Sequence, residues 1–185
     1  MSSTVSGRVR SYDSVLMGLH WLIVALLVVQ YFTKLIPASG ASGDALNAWH
    51  LAVGPTILVL MLLRLGWRLA HAVPPPPADL SPGLRMLSRT THWAFYGVLI
   101  LLPILGWLSA SAFGATPYLL GLIKLPLLTA PNKAFAEQVG GVHGLLAWLL
   151  LALIALHVAG ALYHAVIKRD EVLQRMLPLG EPGPS

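Results

Sequence analysis

Four stretches of the chain are apolar for long enough to cross a bilayer, which takes roughly 20 residues of helix. They run approximately over residues 14–32, 48–67, 91–113 and 139–167, and the last is long enough to project beyond the membrane. The breaks between them have distinct characters. "VPPPPADLSPG", residues 73–83, cannot continue a helix and reads as a stiff start to a linker over 73–90. Docking of a partner on that proline run is the alternative to a plain linker. "YLLGLIKLPLLTAP", from Tyr118 to Pro131, is apolar but interrupted by Lys124 and Pro126. It reads as a loop lying on the surface, inside a longer loop over 114–138. No internal repeat is visible.

The first stretch has the order of a secretory signal, with Arg8 and Arg10 ahead of an apolar run and small residues after it. Its apolar run is long for that role, so it reads as a retained helix. The pattern therefore predicts an all-α protein, an integral membrane four-helix bundle forming a single transmembrane domain over residues 1–185.

Composition agrees. Of 185 residues, 56% are hydrophobic and only 10% charged, against about a quarter charged in a soluble domain. The formal net charge of +5 is not gathered on a soluble domain, so nucleic acid is not the expected partner; membrane lipid is. The basic residues instead report topology. With the N-terminus inside, the inner segments carry Arg8, Arg10, Arg64, Arg68, Arg85, Arg89, Lys168, Arg169 and Arg175, and the outer loops carry Lys34, Lys124 and Lys133. Nine against three is a clear bias; in a bacterial inner-membrane, multi-pass protein it puts both termini, and the linker over 73–90, in the cytoplasm. There is no cysteine, which excludes disulfides, iron–sulfur clusters and covalently tethered c-type haem.

Polar groups inside the apolar helices then stand out, and they are histidines. His20 lies about six residues into the first helix, on the inner side. His50 lies just after the start of the second, on the outer side. In "VGGVHGLLAWLLLALIALHVAGALYHAVIKRD", residues 139–170, His143 is near the outer end and His157 follows 14 residues later. Fourteen residues are nearly four turns, or about 21 Å of rise, and return the side chain to within about 40° of its starting face. His143 thus shares a depth with His50, and His157 with His20.

The two pairs are too far apart for one metal ion. A haem takes one imidazole on each face of its iron, and four helices make a pocket for its macrocycle. Two b haems fit: an outer one on His50 and His143, an inner one on His20 and His157. Gly18, Gly54, Gly97, Gly106 and Gly144 leave room for the rings or let helices approach. A lone histidine in such a helix is commonly a hydrogen-bonded packing residue, but four at matching depths are not explained that way.

"SYDSVLMGLHWL", "NAWHLAVGPTILVLMLLRLGWRL", "THWAFYGVLILLPILGW" and "VHGLLAWLLLALIALHVAGALYHAVIKRDEVLQRMLP" together resemble the bacterial dihaem cytochrome b561 family over nearly the whole chain. The resemblance implies haem ligation at the positions matching His20, His50, His143 and His157, the pairing already reached from depth. It also implies electron transfer, because iron with two protein ligands has no open position for oxygen chemistry. The family includes a superoxide oxidase that passes electrons from superoxide to ubiquinone. Other members are cytochrome b partners of dehydrogenases.

Two readings follow. One is an oxidoreductase acting on superoxide and ubiquinone; the other is a non-catalytic cytochrome b carrier or subunit serving a periplasmic dehydrogenase or soluble redox partner. A transporter is disfavoured, since no acidic relay runs inside the helices. Quinone reduction needs protons, which histidine supplies near neutral pH. His92, at the start of the third helix, and His164, seven residues after His157 on about the same face, both lie on the inner side. The resemblance implies a quinone contact at His164. The alternative for both is an interfacial histidine or a partner of haem propionates. His71 lies in the loop region and is expected to face solvent. Lys34, Lys124 and Lys133 can draw in a small anion or be merely solvated. Arg8, Arg10, Arg64 and Arg68 can pair with inner haem propionates or serve only the charge bias.

Overall fold

The computed structural model describes residues 12–72, 74–75 and 80–177. Arg8, Arg10 and much of the proline run lie outside them. Four long helices carry the fold: α1 (Ser14–Leu35), α2 (Gly40–Ala70), α3 (Pro82–Ala112) and α4 (Lys133–Leu162), the last continuing through a π-helical segment, Tyr163–Lys168. All four are long and apolar enough to span a membrane, so the chain is a four-helix membrane bundle. The helices run longer than the apolar runs from which they were read. The bilayer sets the length of an apolar run, whereas caps set the length of a helix. Asp13 accepts from the Val15 amide, Ser81 from Leu84 with Pro82 following, and Asn132 from Phe135, each satisfying an orphan N–H of the first turn.

Consecutive helices pack side by side, α1 on α2, α2 on α3 and α3 on α4. Their shared core holds Ile23 of α1, Val53, Ile57 and Met61 of α2, Tyr96, Leu99 and Leu102 of α3, and Leu150 of α4. Leu150 lies midway between His143 and His157 in sequence and is 1% exposed. The apolar core therefore sits between the two histidine levels. Across the α1–α4 side the connection is a hydrogen bond, Tyr31 Oη donating to the Ala147 carbonyl at 2.7 Å. Only 6% of the most apolar window of α4 is buried by protein, so lipid must cover its outer surface.

Both ends of the described chain meet at one face, which we call the termini face. The Tyr12 amide donates to the Arg175 carbonyl at 3.2 Å, Trp21 Nε1 to the Met176 carbonyl at 2.7 Å, and Arg175 Nη1 to the Pro75 carbonyl at 3.1 Å. The opposite, loop face carries a short hairpin within the segment expected as a surface loop. Residues Tyr118–Leu119 and Ile123–Lys124 form an antiparallel pair, β1 and β2. Of the three residues between them, Leu120 and Gly121 both have positive φ, 55° and 71°, and the Leu122 amide donates to the Leu119 carbonyl at 3.0 Å, closing a tight turn. Backbone groups near a membrane need partners, and the bundle supplies them. Thr56 Oγ1 accepts from the Leu120 amide at 3.1 Å, Ser111 Oγ from Leu128 at 3.1 Å, and the Pro126 carbonyl from Trp107 Nε1 at 2.9 Å.

Asp13 does double duty at the termini face, since its Oδ1 also accepts from Trp67 Nε1 of α2 at 3.1 Å. Asp13→Ala removes both a cap and an interhelix bond, and should cost about 1–2 kcal/mol. Circular dichroism of the detergent-solubilised protein should show a melting point lowered by several degrees. An unchanged melting point would show that neither bond contributes.

Candidate functional site

The two expected pairs form. His50 of α2 and His143 of α4 face each other with ring centres 6.2 Å apart and planes at 75°. His20 of α1 and His157 of α4 repeat the same geometry, 6.2 Å and 75°. The spacing is too long for ring-to-ring contact through a hydrogen bond and suits an atom held between. An iron–nitrogen bond of about 2 Å on each side, plus about 1.1 Å from each nitrogen to its ring centre, gives about 6.2 Å. Bare metal ions usually take three or four protein ligands. Among the described residues no such cluster of His, Cys, Asp or Glu exists. Two imidazoles alone suit a haem, whose macrocycle supplies the remaining ligands.

The tautomer of the loop-face pair, His50 and His143, follows from its hydrogen bonds. The Leu102 carbonyl lies 2.9 Å from His143 Nδ1 and can only accept, so the proton is on Nδ1 and Nε2 keeps its lone pair. Thr33 makes the same assignment for His50. Its hydroxyl donates to the Gln30 carbonyl at 2.7 Å, so toward His50 Nδ1, 3.2 Å away, it accepts. Fixing Nδ1–H in this way is how proteins orient a metal-ligating histidine. Gln30 Nε2 also donates to the His50 carbonyl at 3.3 Å.

The pair nearer the termini face, His20 and His157, is set among aromatic rings. His92 lies edge-on to His157 at 5.6 Å, Phe95 at 5.4 Å on the same ring, and Trp21 stands 5.4 Å from His20. His92 Nδ1 donates to the Ser88 carbonyl of its own helix at 2.7 Å. Of the glycines singled out, Gly106 has the clearest purpose. A Cβ there would stand 3.0 Å from His143 Cε1, while Gly54 approaches Gln30 at 3.6 Å and Gly18, Gly97 and Gly144 have open space.

Of the two histidines expected at the quinone, His92 lies against His157, whereas His164 packs edge-on to Tyr163 with ring centres 5.7 Å apart. His164 also binds Asp170, Nδ1 to Oδ2 at 2.6 Å, a partner that sequence reasoning missed. Burial opposes the charge on Asp170, but hydrogen bonds from His164 and the Val172 amide outweigh it and hold the carboxyl below its ordinary pKa. His71 is exposed and stacks on Trp67, with ring centres 4.2 Å apart. Arg64 donates to the Leu16 carbonyl, one turn before His20, and Arg68 lies over the Tyr96 ring at 5.8 Å. At the loop face Lys34 Nζ donates to Asn47 Oδ1 at 3.0 Å. An open recess of about 250 Å³ lies there, lined by Thr33, Lys34, Pro37, Leu46 and Asn47. Lys133 pairs with Glu137 at 3.8 Å, both well exposed, and Lys124 belongs to the hairpin.

A membrane bundle with imidazoles paired between its helices, the Nδ1 protons of one pair tied down, is the scaffold of a b-type cytochrome. The chain belongs to the prokaryotic cytochrome b561 family, whose model matches residues 11–179. It is 31% identical over 173 residues, 91% of this chain and 97% of the relative, to the probable superoxide oxidase CybB of Yersinia pestis. It is 32% identical over 128 residues to cytochrome b561 homolog 2 of Escherichia coli K12, covering 69% of this chain and 68% of the relative. It is 27% identical over 177 residues, 90% and 94% of the two chains, to a cytochrome b562 of Cereibacter sphaeroides. The protein is accordingly a multi-pass bacterial membrane protein that carries b-type haem and transfers electrons.

Replacing the paired histidines one at a time tests the two levels. His50→Ala or His143→Ala should convert one spectral component to high spin, and His20→Ala or His157→Ala the other. Gly106→Val should mimic the first class by pushing on the His143 ring. Low-temperature optical and electron paramagnetic resonance spectra check this. Loss of the same component in His50→Ala and His20→Ala would break the pairing by depth.

Proposed function

We propose that this protein binds two b haems, one on His50 and His143 and one on His20 and His157, and oxidises superoxide at the loop face while reducing ubiquinone at the termini face. The orientation proposed puts the loop face in the periplasm and the termini face in the cytoplasm, across the inner membrane, as a single transmembrane domain. The observation that carries the reading is the repetition of one imidazole-pair geometry at two levels separated by the apolar core. A haem held by two imidazoles supplies one-electron chemistry without an open coordination position, so donor and acceptor need not meet.

The chain's own residues define the two ends. At the loop face the Lys34 recess borders Thr33, whose hydroxyl also holds His50. A fixed positive charge beside that opening favours a small anion such as superoxide over a neutral donor. At the termini face His164, and secondarily His92, supply protons that a reduced quinone needs. The name of the Yersinia pestis relative supports the superoxide reading. The loop-face hairpin favours the second one, a carrier for a periplasmic dehydrogenase. It exposes Leu120, Leu122 and Ile123 where a docking protein could cover them.

Stopped-flow mixing of the oxidised protein with superoxide decides between them. Rapid haem reduction is expected, slowed on the order of 10-fold in Lys34→Glu by loss of steering. Haem that stays oxidised in superoxide would leave the carrier reading. In the second half of the cycle, His164→Gln should leave the haem spectra intact and slow reoxidation by a water-soluble quinone by about 10²-fold, the usual size of a lost general-acid contribution. Unchanged reoxidation in both His164→Gln and His92→Gln would move the quinone to the loop face.

A further inference from the structure

The end of α4 is shaped around a contact that neither imidazole pair uses. His164 and Asp170 are six residues apart, which on a regular α-helix leaves side chains about 120° apart around the axis. They meet here because the helix does not stay regular. It loosens into the π segment Tyr163–Lys168, and Arg169 then takes a left-handed conformation, φ 53° and ψ 38°. The amides of Arg169 and Asp170 both return to the His164 carbonyl. Holding a non-glycine residue there costs about 1 kcal/mol or more, strain of the kind that collects at functional sites.

The product of that strain is specific. Asp170 Oδ2 lies 2.6 Å from His164 Nδ1, and Asp170 Oδ1 accepts from the Val172 amide at 3.1 Å. The pair is largely enclosed, with side chains 15% and 25% exposed. Beyond it the chain is pinned to the start of α1 through Trp21 and Met176, and through Tyr12 and Arg175. Trp21 is the neighbour of His20, so the pair is tied to the helix that supplies one side of the inner level. An ionised carboxylate can only accept, which places the His164 proton on Nδ1 and leaves Nε2 free.

We propose that Asp170 is the positioning residue for proton delivery to the quinone, holding His164 with Nδ1–H on the carboxylate and Nε2 as the atom that exchanges protons. This rests on His164 being the quinone-side acid. Reduction of a quinone to a quinol takes two electrons and two protons. The electrons come one at a time from the donor at the loop face. With the ring doubly protonated, its Nε2–H bond breaks as an O–H bond forms on the reduced quinone oxygen. The ring is left neutral, with Nδ1–H still on Asp170, and water at the termini face returns a proton to Nε2 for the next transfer.

The test uses the full-length, haem-loaded protein in lipid nanodiscs, with ¹⁵N-labelled histidine and His164 assigned by difference from His164→Gln. At about pH 9, where imidazole side chains are neutral, the wild-type ring should carry its proton on Nδ1 and Asp170→Asn should lose that preference. Asp170→Glu should restore it. In parallel, reoxidation by a water-soluble quinone should slow in Asp170→Asn by about 10-fold or more, recover in Asp170→Glu, and leave haem reduction by the donor unchanged. An Nδ1 proton retained in Asp170→Asn, or full-speed reoxidation in that variant while His164→Gln is slow, would overturn the role of Asp170 and leave His164 in place. Full-speed reoxidation in His164→Gln would overturn both.

Discussion

An imidazole buried in a hydrocarbon-lined bundle must have both nitrogens satisfied, or it destabilises the fold by a few kcal/mol. Much of this structure follows from meeting that requirement, most visibly at the loop-face pair. At His143 the Leu102 carbonyl takes one nitrogen, and at His50 the Thr33 hydroxyl does the same, itself fixed by Gln30. The two ring centres stand 6.2 Å apart, a gap suited to a haem iron. Gly106 lacks a side chain because a Cβ there would press on His143. Ile57, Met61, Leu99 and Leu150 fill the space between the levels, so each pair has its own apolar surroundings.

The same requirement shapes the ends. Long apolar helices leave their first amides without partners, and Asp13, Ser81 and Asn132 provide them. The loop-face hairpin is apolar in side chain yet fully polar in backbone, and it borrows Thr56, Ser111 and Trp107 from the bundle. At the termini face the chain after Asp170 folds back on α1. There a helix that could simply have frayed is instead closed by a histidine–carboxylate pair.

Much of this was legible in the sequence, for physical reasons. A bilayer-length apolar run has few structural alternatives, so four spans could be read directly. The 14-residue spacing of His143 and His157 projects onto one helix face, so their partners at equal depth could be read as well. What could not be read depends on the third dimension. Thr33 is an ordinary hydroxyl residue until α1 lies against α2, and Leu102 acts through a carbonyl that no side chain reveals. Asp170 was hidden because regular helical spacing places it away from His164, and only the π segment and the Arg169 turn reverse that. The hairpin was missed because Leu120, not an asparagine or glycine, occupies the first left-handed position. The early starts of α2 at Gly40 and α3 at Pro82 were missed because these turns lie outside the apolar runs.

The central claim is that each chain holds one haem at each level. A pyridine haemochrome assay on the purified protein, with protein quantified by amino-acid analysis, measures it directly. The account predicts two b-type haems per chain, both extracted by acidified acetone because no cysteine tethers them. One haem per chain in fully loaded, spectroscopically homogeneous protein would contradict it.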